Sequence, residues 1–140
     1  MDLKAFMVPS VAGETKEVYI SNRFKGADGK PAPFVIRAID QDTNDSLVRK
    51  CTTKKTKGGV VTSEVDGTKL ARMLIVECTV EPNFRDSELC EYYKTINPLD
   101  VPGRMLSVGE FNRLAKAIRE MNGMLEDDEF AEAMEEAKNL

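Results

Sequence analysis

A chain of 140 residues that is 41% hydrophobic and 31% charged has the balance of a folded globular protein and not of a disordered or membrane-spanning one. It holds no histidine, which removes the commonest general base and metal ligand at neutral pH, and its three cysteines, Cys51, Cys78 and Cys90, are an odd number at wide spacing that excludes a full disulfide framework. The net charge of −4 is unevenly held: residues 124–140 carry seven acids against one lysine, and residues 1–123 are close to neutral.

Met1 to Pro9 lacks the basic start and apolar run of a secretory signal, and no stretch reaches the ~20 apolar residues of a membrane helix. A reducing cytoplasm is the expected compartment, with no membrane among the partners. Residues 17–24 and 33–39 are rich in β-branched and aromatic side chains. They are separated by Gly26-Ala27-Asp28-Gly29-Lys30-Pro31, whose Asp-Gly and Pro suit a chain reversal, so the two segments predict a β-hairpin with a longish loop. Asp40 to Thr52 reads as a capped helix with Leu47, Val48 and Cys51 at helical spacing. Lys54-Lys55-Thr56-Lys57-Gly58-Gly59-Val60-Val61-Thr62 is either a second short hairpin or an exposed loop.

Asp66 is placed to cap a helix running to about Thr79, with Leu70, Met73, Leu74 and Cys78 on one face and Ala71, Ile75 and Val76 widening it. Apolar residues on most sides mark it as the central helix. A shorter helix is expected after Asp86 or Ser87, burying Leu89, Cys90 and Tyr93, and Pro98 and Pro102 are expected to break the chain twice. Ser107-Val108-Gly109-Glu110 is a capping box, Phe111, Leu114, Ile118 and Met121 repeat at helical spacing, and Asn122-Gly123 is a stop; together they predict a helix over 107–122. Beyond the stop, Leu125, Phe130, Ala133, Met134 and Ala137 fall on one stripe of an acidic segment. Helices of that length are marginal alone, so it is expected to be helical only when docked. The fold class is α+β: an N-terminal hairpin packed with four to five helices in a single domain over 1–123, followed by an acidic amphipathic tail over 124–140.

No pattern for catalysis, cofactor or metal emerges. C-x-x-C, G-x-S-x-G, G-x-G-x-x-G and the P-loop are all missing, and Gly26–Pro31 is too short to cradle a phosphate. Asp40, Asp42 and Asn44 match the first three ligand positions of a calcium loop, but Asp45 stands where glycine and Cys51 where glutamate is needed, which favours a helix-capping turn. Cys78 and Cys90 sit on apolar faces as small hydrophobes, whereas Cys51 lies between Lys50 and Lys54, whose charges would favour its thiolate and labelling. The run Arg49, Lys50, Lys54, Lys55, Lys57 has no interleaved aromatic residue, so it reads as a solvated hairpin or a dock for acidic protein segments more than for nucleic acid. The strongest candidate surface is therefore for a protein partner: Leu125, Phe130, Met134 and Ala137 of the tail, with Lys54, Lys55 and Lys57. An alternative for the tail is self-docking on the body.

Placed in order, several segments resemble the XkdN-like tail assembly chaperones of tailed phages and phage-like prophage elements. They are Ser21-Asn22-Arg23-Phe24-Lys25, Asp28-Gly29-Lys30-Pro31, Ile36-Arg37-Ala38-Ile39, Arg49-Lys50-Cys51-Thr52, Cys78 through Pro82, Ser87-Glu88-Leu89, Met105-Leu106, Gly109-Glu110-Phe111 and Glu120-Met121-Asn122-Gly123. Phe34 stands where such proteins have tryptophan, and Ser107-Val108 replaces Leu-Pro. The resemblance covers about residues 5–123 and leaves 124–140 outside. It implies a non-enzymatic protein without cofactor that binds the long, helical, hydrophobic tape measure protein in the host cytoplasm, before tail-tube subunits polymerise around it. The tail-tube protein is a second possible partner. Alternatives to this reading are a general phage or host adaptor and a small nucleic-acid-binding regulator.

Overall fold

The computed structural model describes residues 2–124 and 127–139. Two short strands, β1 (Thr15–Val18) and β2 (Phe34–Arg37), pair antiparallel with Thr15 opposite Arg37 and Val18 opposite Phe34, so the N-terminal hairpin forms. It starts and stops earlier than the β-branched run of 17–24 suggests. From Ile20 onward the backbone is claimed by α5 instead of a ladder: the Ile20 carbonyl accepts from Arg113 Nε at 2.8 Å, and the Ser21 hydroxyl takes the Arg23 N–H at 3.0 Å. Such side-chain bonds compete with strand pairing. The Gly26–Pro31 reversal is present but tips a separate small loop, closed by the Gly26 N–H on the Lys30 carbonyl at 2.9 Å.

Helix α1 (Gln41–Lys50) begins at Asp40, whose carboxylate accepts the Thr43 N–H at 2.8 Å; the acidic turn is a cap. Then β3 (Thr52–Lys57) and β4 (Val60–Val65) form an isolated antiparallel ribbon, the hairpin alternative for this segment. Gly58 and Gly59 turn it with φ of +60° and +80°, the paired positive angles that a two-residue hairpin turn demands.

Helix α2 (Gly67–Cys78), capped by Asp66, is central and packs on α1, α4 and α5. Its deepest residues are Ile75, Val76 and Cys78, while Leu70, Met73 and Leu74 are half-buried, so the stripe is rotated from the expected one. Where the sequence suggested only a helix end, the chain leaves α2 straight into β5 (Thr79–Glu81). This strand pairs antiparallel with β2 and makes a three-stranded sheet in the order β1-β2-β5.

Helix α3 (Ser87–Tyr92) is capped by Asp86 and buries Cys90. Neither later proline simply breaks the chain. Pro98 opens a 3-10 turn over 98–100, and Pro102 sits in the first turn of a short helix α4 (Val101–Met105), where a missing N–H costs nothing. Helix α5 (Val108–Met121) has the full capping box, with Ser107 Oγ accepting the Glu110 N–H and Glu110 Oε1 accepting the Ser107 N–H. Its apolar stripe, led by Leu114 and Ile118, closes on α2 and β2. Helix α6 (Asp127–Lys138) follows. The core thus joins Phe34 and Ile36 of the sheet to α2, α4 and α5, with Phe84, fully buried in the turn before α3, at its centre. The architecture is α+β.

Candidate partner-binding surface

Several of the segments that carried the family resemblance meet in the body and hold it together, whereas Asp28-Gly29-Lys30-Pro31 stays exposed. Arg23 reaches 87 positions along the chain to Glu110: its Nη2 donates to Oε1 at 2.6 Å and its Nε to Oε2 at 3.2 Å, while Nη2 also donates to the Met105 carbonyl at 2.7 Å. Glu110 is 3% exposed. The Arg23 guanidinium, the Ser107 N–H and the Ser21 hydroxyl hold its carboxyl well below the usual carboxylate range. One glutamate therefore caps α5 and pins the 20–25 segment to it. A second node ties sheet to helix: Arg37 Nη2 donates to Glu77 Oε1 at 2.6 Å and Arg85 Nη2 to Glu77 Oε2 at 2.8 Å. Asn122 Oδ1 accepts the Ile39 N–H at 2.8 Å and fixes the end of α5 beside the start of α1.

The cysteines are equally structural. Cys78 is fully buried, and burial pushes its thiol up to about 11. Cys51, expected to be open to labelling beside Lys50 and Lys54, is 2% exposed, and its sulfur donates to Met73 Sδ at 3.2 Å. Burial takes the side chain out of reach of a labelling reagent. Among the described residues no three His, Cys, Asp or Glu side chains converge to hold a metal, and no helix is long and apolar enough to cross a membrane.

What remains for function is surface. Lys54, Lys55 and Lys57 all stand exposed on the ribbon, Lys55 and Lys57 on one face and Lys54 on the other, as strand alternation dictates. Among the described residues only Lys55 has an acidic partner there, Glu64 at 3.2 Å, and a pair that exposed contributes little. Val60, Val61 and Val65 interleave with the lysines and are exposed as well. On the tail, Leu125 lies outside the described residues, as does the side chain of Phe130; Met134 and Ala137 are exposed on α6.

Two exposed apolar features escaped the sequence reading. Five large residues of the N-terminal segment, Leu3, Phe6, Met7, Val8 and Val11, are open to solvent. Beside α3 lies an open cleft of about 730 Å³ lined by Arg85, Cys90, Glu91, Lys94, Ile96 and Pro98, with Ile96 fully exposed at its rim. The α3 end carries backbone strain: Lys94 has φ 58°, and Arg104 Nη1 donates to the carbonyls of Tyr93 and Lys94 at 2.9 and 2.6 Å. Neither an unperiodic N-terminal stretch nor one isoleucine between polar residues is a recognisable signal on its own.

The described residues thus present a packed body and exposed appendages. Comparison with known proteins decides the lineage. The pattern of the family described as phage XkdN-like tail assembly chaperone protein matches residues 3–138. The chain belongs to the XkdN-like tail assembly chaperones. The match takes in most of 124–140, so the family pattern extends past Gly123, where the recognisable sequence motifs end. Among relatives, YqbN of Bacillus subtilis (strain 168) is 42% identical over 142 residues, covering 99% of this chain and 93% of its own. The phage-like element PBSX protein XkdN of the same organism is 38% identical, covering 99% and 94%. The crystal structure of YqbN superposes on this chaperone with a TM-score of 0.73 at 37% identity, over 88% of this chain and 97% of that one.

Proposed function

We propose that this tail assembly chaperone binds the tape measure protein of its phage in the host cytoplasm and keeps that long, apolar helical chain soluble until the tail tube is built around it. The contact is assigned to the tail stripe of Leu125, Phe130, Met134 and Ala137, assisted by Lys54, Lys55 and Lys57 of the ribbon. The observation that carries this reading is α6 itself. It is an amphipathic helix within the family match, its residues 132 and 134–138 are all exposed, and Met134 is 45% open to solvent. Apolar side chains left in solvent on a helix, as Met134 and Ala137 are, suit a partner helix, and methionine adapts to imperfectly matched surfaces. On this assignment 124–140 is a binding appendage and 1–123 the domain that carries it. Acids on the opposite side of the helix keep the complex soluble.

Co-expression tests the reading. The tape measure protein is expected to stay soluble and co-purify with the wild-type chaperone, and to precipitate when Met134→Asp and Ala137→Asp place charges in the contact. Equal capture by wild type and double variant refutes the assignment of the tail.

A further inference from the structure

The ribbon and α6 match each other in size, charge and polarity. Six residue pairs make the ribbon about 20 Å long, and twelve residues make α6 about 18 Å long. The ribbon is basic, with Lys54, Lys55 and Lys57 against Glu64 alone, and it interleaves those charges with exposed valines. On α6 the acids Glu132, Glu135 and Glu136 fall on one arc at helical spacing, and Met134 and Ala137 fall on the opposite arc. A two-stranded ribbon is marginal without a third layer, yet every residue of β4 is exposed.

Among the described residues of one chain the two surfaces do not cover each other: every residue of β4 is exposed, and so are Glu132 and residues 134–138 of α6. The ribbon leaves the body at Thr52, just past the C-terminal end of α1. Helix α6 follows α5, whose end is held by Asn122 to Ile39, just before the N-terminal end of α1. The ten residues of α1 set these exits about 15 Å apart.

We infer that α6 of one copy lies along the β3–β4 ribbon of a second copy, and reciprocally, closing a two-fold dimer in which each acid–base contact occurs twice. Self-association covers the ribbon lysines that we also assign to the client, so the client competes with it. The dimer contains no client, and it stands or falls separately from the tape measure reading.

Sedimentation of the full-length protein without any client tests this at low salt and at about 0.5 M salt, where exposed charge pairs are screened. Three proteins are compared: wild type, an arm variant carrying Lys54→Glu, Lys55→Glu and Lys57→Glu, and a tail variant carrying Glu132→Lys, Glu135→Lys and Glu136→Lys. Wild type is expected to dimerise with rising concentration and to weaken in salt. Each variant alone is expected to self-associate at least about tenfold more weakly, because like charges now face each other. Mixed, the two variants restore the dimer, since the acidic arm meets the basic tail and the two unchanged surfaces meet as well. All substituted positions are exposed, and unchanged thermal melts verify the fold. A wild type that stays monomeric at every concentration, as docking within one chain requires, overturns the inference. So does a mixture that remains monomeric, or variants that dimerise like wild type.

Discussion

The body and the ribbon are built from the same kinds of residue and treat them in opposite ways. Val76 of α2 is 3% exposed, while Val60 and Val61 of the ribbon are 62% and 63% exposed. In the body each apolar stripe faces another element, and long-range pairs such as Arg23–Glu110 lock loops to helices. Every residue of β4 stays exposed, and α6 leaves Glu132 and residues 134–138 in solvent. Since burial supplies most of the stability of a fold, stability should reside in the body, and what the ribbon and tail retain is free to serve binding. The family's recognisable motifs lie almost wholly in the body; they record how the scaffold is held and say little about where a client sits.

The sharpest way to break this contrast is to damage the body. Phe84→Ala empties a fully buried site and is expected to lower stability by ~3–5 kcal/mol, with Leu114→Ala costing ~2–5 kcal/mol, both read by denaturant unfolding. Losses under about 0.5 kcal/mol would place those residues at the surface. Next comes Glu110→Ala, which removes one side of the capping box and the anchor of Arg23; losing a hydrogen bond to a charged acceptor costs about 1.5–3 kcal/mol. The pH dependence follows from the same group. Its folded pKa lies below the ordinary value of 4.5, so its contribution is complete above that value and is lost as pH falls toward the folded one. Melting temperature should therefore fall more steeply from about pH 6 to about pH 3 in wild type than in Glu110→Gln, and parallel slopes would remove Glu110 from the account. A smaller effect of opposite sign is expected at Lys94, where a side chain occupies the left-handed region at the end of α3: Lys94→Gly should stabilise the protein by about 1 kcal/mol. A destabilisation there would mean that the lysine side chain makes contacts that outweigh its strain.

Much of the body was legible in the sequence because its signals are local. Asp40, Asp66, Asp86 and Ser107 each cap the helix they announce, since a side-chain oxygen two or three positions before a free N–H needs no tertiary help. The strand β5 was not legible: Thr79, Val80 and Glu81 are too few to show a period, and only the waiting edge of β2 makes them a strand. Phe84 likewise has no periodic neighbours, and its burial comes from elements that meet around it. Cys51 misled because adjacent lysines are visible in sequence while its contact with Met73, 22 positions away, is not. For the candidate surface, the lysines and the tail stripe were readable as charge and spacing. The cleft beside α3 depends on where two turns land and was not.

The measurement that bears most directly on the division between body and appendage is a pair of readings on one protein, truncated after Gly123: its thermal stability alone, and its capture of the tape measure protein on co-expression. The account expects stability within about 0.5 kcal/mol of the full chain, together with loss of capture. Truncation that costs several kcal/mol and leaves capture intact would make the tail a structural part of the body and move the client surface elsewhere.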